Sequence, residues 1–236
     1  MRVEVAVEFN DKGYLVHFVG FPGAFVRGRT LEDAISKVQE EIASYLRWLE
    51  QEAAFESVEV IVIQEKESVL EIQDGDTDII IESETKPLSL SEYLELKRLA
   101  LKSAQNFQTL FDSIPEKTIP LVPERRTFYG YVPRSALEMY EHTKNVNSYY
   151  FGEIGIEVGN GPDIFFCRAE GFQKLEGMPN YLENKVVEGS CGEFWSLKKV
   201  LRRFIWHDRI HAKAMYRSGV KAFGREKIKK PFYFGF

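Results

Sequence analysis

The chain has 236 residues, 44% apolar and 14% aromatic, which is enough for a packed core and argues against wholesale disorder. The net charge of −5 hides a split: residues 1–88 hold 8 basic and 19 acidic groups, a balance of −11, while residues 89–236 hold 23 and 17, a balance of +6. No apolar run approaches the roughly 18 residues of a membrane-spanning helix, the N-terminus has no secretory apolar stretch, and two cysteines, Cys167 and Cys191, are too few for a disulfide framework or a four-thiolate zinc site. These features predict a cytoplasmic, reducing setting and no membrane contact, and the charge asymmetry predicts two modules of different make-up.

The first module reads as strands. Val3, Val5, Val7 and Phe9 alternate with Glu4, Ala6 and Glu8, the period of a half-buried strand. Asn10-Asp11-Lys12-Gly13 is a turn signal, and Tyr14 to Val19 supplies the returning strand of a hairpin. Thr30 precedes a helical run through Leu31, Ala34, Ile35, Val38, Ile42, Tyr45 and Leu46 and reads as its N-cap. Residues 58–63 form a further strand, and 68–72 with 77–81 predict a peripheral hairpin. His17 reads as a half-exposed strand residue. Asp74-Gly75-Asp76-Thr77-Asp78 has acids at alternate positions, but Ile79 and Thr85 stand where a calcium loop needs glycine and glutamate, so it reads as an acidic turn.

The hairpin, Phe21-Pro22-Gly23-Ala24-Phe25 and Gly28-Arg29-Thr30-Leu31-Glu32-Asp33-Ala34 together resemble the small α+β domain of the HicB-like, antitoxin-type family over about the first 50 residues. The resemblance implies a fold. The residue after Pro-Gly, often cysteine in that family, is Ala24, and the DNA-binding helix or ribbon of its relatives has no counterpart in this sequence.

Thr85-Lys86-Pro87 closes the acidic stretch, and the period then becomes helical. Tyr93, Leu96, Ala100, Phe107, Leu110 and Ile114 form a core-facing stripe. Residues 115–133 read as a long connection, 135–154 as a second helix, 163–175 as a third, 177–191 as a loop and 192–217 as a long fourth helix. The fold class is therefore α+β: a small antiparallel sheet with a helix over residues 1–86, followed by an all-α four-helix bundle over 87–236.

Four histidines occur, and three fall into a pattern. His207 and His211 lie four residues apart, so a helix presents both on one face, one turn apart. They continue the stripe Leu197, Val200, Phe204, and His142 does the same on the second helix with Met139, Val146 and Tyr149. Three inward imidazoles need partners; a divalent metal gives one to each and leaves an open position, as in catalytic zinc sites. Imidazoles suit zinc, nickel, copper and iron alike. Glu141 and Asp208, beside the histidines but rotated about 100° away, are outer-sphere candidates.

One inward histidine on a second helix and His-x-x-x-His on a fourth resembles the DinB/YfiT-like family of metal-binding bundles, with His142, His207 and His211 at the matching positions over about residues 88–224. The resemblance implies a zinc or nickel site and a transferase of low-molecular-weight thiols onto an electrophilic partner. The rival reading is a non-enzymatic, metal-stabilised or metal-sensing scaffold with a partner-binding N-terminal part. An open site in a cleft favours the first, a sealed one the second. Lys198, Lys199, Arg202, Arg203 and Lys213 read as a solvated helix face that can also attract an anionic thiol. The basic, aromatic tail from Lys227 to Phe234 has few cations and no stacking platform, which argues against nucleic acid and for packing on the body or on a neighbouring subunit, as in a homodimer. Cys167 reads as a core residue and Cys191 as a loop residue.

Overall fold

A computed structural model describes residues 1–127 and 130–235. Strands β1 (Arg2–Asn10) and β2 (Gly13–Phe18) form the expected hairpin, β3 (Phe25–Gly28) pairs with β2, and β4 (Glu59–Glu67) lies beside β1, giving the order β3-β2-β1-β4. The sheet is mixed, which corrects the antiparallel expectation: β4 runs parallel to β1, with Val3 opposite Val60. Between β3 and β4 the chain forms α1 (Leu31–Ile35) and α2 (Val38–Trp48), and such a helical crossover returns the chain in its original direction. Thr30 caps α1 as expected, its hydroxyl accepting from Asp33 N at 3.1 Å.

Both faces of β1 and β2 are buried. Val3, Val5, Val7, Val16 and Phe18 join Ala34, Val38, Ile42 and Trp48 in the main core. The opposite face, with Ala6, Glu8, Leu15 and His17, lies under residues 70–84. That segment is not the expected hairpin; it is irregular, with short 3-10 turns at Ile72–Asp74 and Glu82–Thr85. Side chains take its carbonyls where a second strand would have done so: Gln64 donates to Ile80 O, Lys199 to Asp78 O, Arg202 to Ile79 O and Arg203 to Thr77 O. These cations explain a second correction. Lys199, Arg202 and Arg203 are buried rather than on a solvated face, and Arg202 also pairs with Glu84.

Four further helices follow: α3 (Leu90–Ser113), α4 (Ala136–Gly152), α5 (Ile164–Glu176) and α6 (Leu197–Phe223). Ser89 and Ser135 open α3 and α4 with capping boxes to Glu92 and Glu138, and Asp163 and Ser196 cap α5 and α6. The last helix starts five residues later than expected, because residues 187–195 form the small ladder β7 (Val187–Glu188) and β8 (Phe194–Trp195). The connection after α3 holds another, β5 (Arg126–Thr127) and β6 (Gly130–Tyr131). α3 packs on α4, α5 and α6, and α4 on α5 and α6.

One contiguous apolar core runs from Val3 through Tyr45 and Trp48 to Phe107, Phe151, Phe204 and the tail residues Phe232 and Phe234. The tail thus packs on the body, Phe232 stacking on Trp48 and Arg209 lying over both tail rings. Cys167 is buried and Cys191 exposed, as expected. Among the described residues, no helix is long and apolar enough to cross a membrane.

Candidate metal centre

His142 projects from the middle of α4, and His207 and His211 from the middle of α6. Their ring centroids are 5.1 Å apart for His142–His207, 4.7 Å for His142–His211 and 4.4 Å for His207–His211. One nitrogen from each ring lies within 4.8 Å of the other two, so the group can hold a metal ion. Bonds of about 2.1 Å to a shared cation keep nitrogens within about 4 Å of one another, somewhat closer than the 4.8 Å limit met here.

The chemistry of the three rings fits a cation. Burial holds His142 below the ordinary imidazole range. His207 lies well below it, through burial and then the neighbouring imidazoles, Arg203 and Arg168; His211 lies well below it through burial, His142 and Arg27. All three are therefore neutral near pH 7, with a lone pair each to donate. His207 is 7% exposed, and its Nδ1 has no hydrogen-bond partner. An orphaned buried nitrogen costs about 1–3 kcal/mol unless something binds it.

The histidines are not sealed. They line a cleft of about 730 Å³, together with Met139, Val146 and Tyr149 of the α4 stripe. Two further walls come from elsewhere: Gln73 to Asp76 from the segment that covers the sheet, and Val122, Pro123, Arg125 and Tyr131 from the connection after α3. Three arginines clamp the first of these walls. Arg27 donates to Gln73 O at 3.0 Å, Arg125 pairs with Asp74, and Arg203 donates to Thr77 O. Trp206 completes the floor, packed edge-on against Phe25.

The two outer-sphere candidates do not serve the imidazoles. Asp208 is fully buried and takes two hydrogen bonds from Arg168, at 2.6 and 3.0 Å, on the other side of α6. Glu141 pairs with Lys144. His17 is 1% exposed, not half-exposed, and lies between Glu8 and Arg202. The acidic turn around Gly75 became a cleft wall, which the sequence reading missed. One signal for Arg203 was present: Lys199, Arg203, His207 and His211 follow at intervals of four, a single row along α6. No protein-family model, curated protein or solved structure matches this chain.

Proposed function

We propose that the protein is a metal-dependent small-molecule transferase of the DinB/YfiT-like type. In this reading α3 to α6 form its four-helix bundle, and His142, His207 and His211 hold zinc or nickel. The observation that carries the reading is the convergence of three neutral imidazoles on the floor of an open cleft. A scaffold metal needs no such access, so the cleft favours chemistry over a purely structural or sensing role. A divalent cation at such a site lowers the pKa of a bound thiol and keeps it nucleophilic near pH 7. Held by His142, His207 and His211, the cation would supply a thiolate whose proton has already gone to solvent, and that thiolate could displace a leaving group, which departs with the electrons of the broken bond, from an electrophilic carbon. The chain's own residues supply the surroundings: Arg27, Arg125 and Arg203 bring positive charge to a wall that also holds Asp74 and Asp76, and Trp206, Tyr149 and Tyr150 add aromatic surface.

The test is elemental analysis of the purified full chain beside His207→Ala, followed by a screen of thiol and electrophile pairs. The expected result is near one equivalent of metal in the wild type, a large loss in the variant, and metal-dependent turnover with at least one pair. Equal metal content in both proteins removes the site, and metal without turnover moves the reading to the scaffold.

A further inference from the structure

Three polar atoms of residues in the cleft have no hydrogen-bond partner among the described residues: Asp76 Oδ2, Arg203 Nε and Trp206 Nε1. All three residues line the cleft. They are also neighbours. The Arg203 guanidinium lies 4.9 Å from the Trp206 ring centroid and donates to Thr77 O, the carbonyl immediately after Asp76. Arg203 sits one helical turn before His207, and the Tyr150 ring bridges them, 5.3 Å from the guanidinium and 6.1 Å from the imidazole. Arg203 is 8% exposed and Trp206 2%. Nine buried side-chain polar atoms among the described residues lack a partner, and four of them, these three and His207 Nδ1, belong to residues lining this one cleft, which points to a ligand that satisfies them.

The donor set restricts that ligand. Two N–H groups, one on a cation, and one carboxylate line the same cleft. A simple carboxylate or phosphate would satisfy the donors but meet like charge at Asp76. A simple amine would satisfy Asp76 and meet like charge at Arg203. A group with a carboxylate and an ammonium on adjacent atoms satisfies both: its carboxylate accepts from Arg203 Nε and Trp206 Nε1, and its ammonium donates to Asp76 Oδ2. The cleft volume of about 730 Å³ leaves room for a longer ligand that reaches the histidines.

We propose that Asp76, Arg203 and Trp206 form a subsite for the zwitterionic α-amino-carboxylate head of a small ligand, whose remainder extends toward His142, His207 and His211. The identity of that remainder as a thiol rests on the function proposed above; the head subsite does not. The substrate class is thus an amino-acid-type thiol, and the binding determinant on this wall comes partly from the N-terminal part of the chain.

Calorimetric titration of the full-length protein separates the two claims. The probes are L-cysteine, S-methyl-L-cysteine, cysteamine and 3-mercaptopropionate, against zinc-loaded wild type, His207→Ala, Asp76→Asn and Trp206→Phe, each checked for an unchanged thermal melt. L-cysteine is expected to bind at least about tenfold more tightly than either truncated thiol. S-methyl-L-cysteine, which has the head but no free thiol, is expected to bind wild type and His207→Ala alike. Asp76→Asn should weaken both amino acids about tenfold and leave 3-mercaptopropionate unchanged or tighter. Equal affinity for all four probes, uniform weakening by Asp76→Asn, or no heat with S-methyl-L-cysteine overturns the subsite. If His207→Ala loses only the extra affinity of the free thiol, the metal reading stands beside it; if it loses nothing, the metal reading fails and the head subsite survives.

Discussion

Glu8 and His17 show how a charge is kept in the interior of this protein. Burial alone would raise the Glu8 carboxyl, but hydrogen bonds from His17, Thr77 and the backbone at Asp78 hold it below the ordinary 4.5. His17 is held below its ordinary range by burial and then by Arg202. It is therefore neutral, with its Nε2 proton donated to Glu8 at 3.1 Å and Nδ1 accepting from Arg202 at 3.4 Å. Because the Glu8 pKa is depressed on folding, its contribution is fully present above pH 4.5 and is lost as pH falls below that, through the lowered folded-state value. Urea midpoints measured from pH 6 down to pH 3 should fall steeply for the wild type, and Glu8→Gln should show a flatter profile from a lower starting point. A parallel decline in the two proteins would mean that other carboxylates govern acid unfolding. The sequence marked Glu8 and His17 only as members of an alternating strand, because alternation reports one buried face and cannot report a loop laid over the other.

At the scale of elements, α6 is the surface on which the rest of the molecule is assembled, and two glycines set how closely other segments approach it. Gly23 has φ +80°, and a Cβ there would lie 2.6 Å from Ile205 Cβ and 2.7 Å from the Trp206 backbone nitrogen. Gly75 has φ +87°, and its Cβ would meet the Ile210 Cδ1 methyl at 2.6 Å. Neither conformation suits an L side chain. The obstacle at Gly23 includes backbone, which cannot yield, whereas at Gly75 it is the end of a side chain, which can. Gly23→Ala should therefore cost about 3 kcal/mol, and Gly75→Ala roughly half as much. Chemical denaturation gives both values, and the reverse order would contradict this account. Gly75→Ala has a second expected effect. By moving residues 73–76 off Ile210 it should weaken ligand binding in the cleft while leaving metal content unchanged, which separates the wall from the histidines.

For the whole molecule, the continuous core makes the two compositionally distinct halves one structural unit. Glu41 of α2 pairs with Arg209 and Lys213 of α6, and Glu84 pairs with Arg202, all largely buried. Removing residues 1–86 would strip Trp48 and Tyr45 from the core and leave those cations without their acids, at a cost of about 3–5 kcal/mol for each broken pair. The full chain should therefore melt in one calorimetric transition, and a fragment of residues 87–236 should lack a cooperative transition and bind no metal. A fragment that melts cooperatively would show that the helices stand alone. The metal site would be affected as well, since residues 73–76 supply part of the lining of its cleft.

The sequence by itself determined the local structure and the histidine face. The alternation of Val3, Val5 and Val7, the cap at Thr30 and the spacing of His142, His207 and His211 along their stripes all act over a few residues, where backbone geometry leaves few choices. Only the tertiary structure decided that β4 returns parallel to β1, that residues 70–84 lie across the sheet, and that Lys199, Arg202 and Arg203 are buried beneath them. The first depends on partners nearly sixty residues apart, such as Val3 with Val60, and the other two on partners more than a hundred apart, such as Asp78 with Lys199 and Ile79 with Arg202. A basic residue at a given helical position reads the same whether water or a distant carbonyl is its partner, and long-range packing makes that choice.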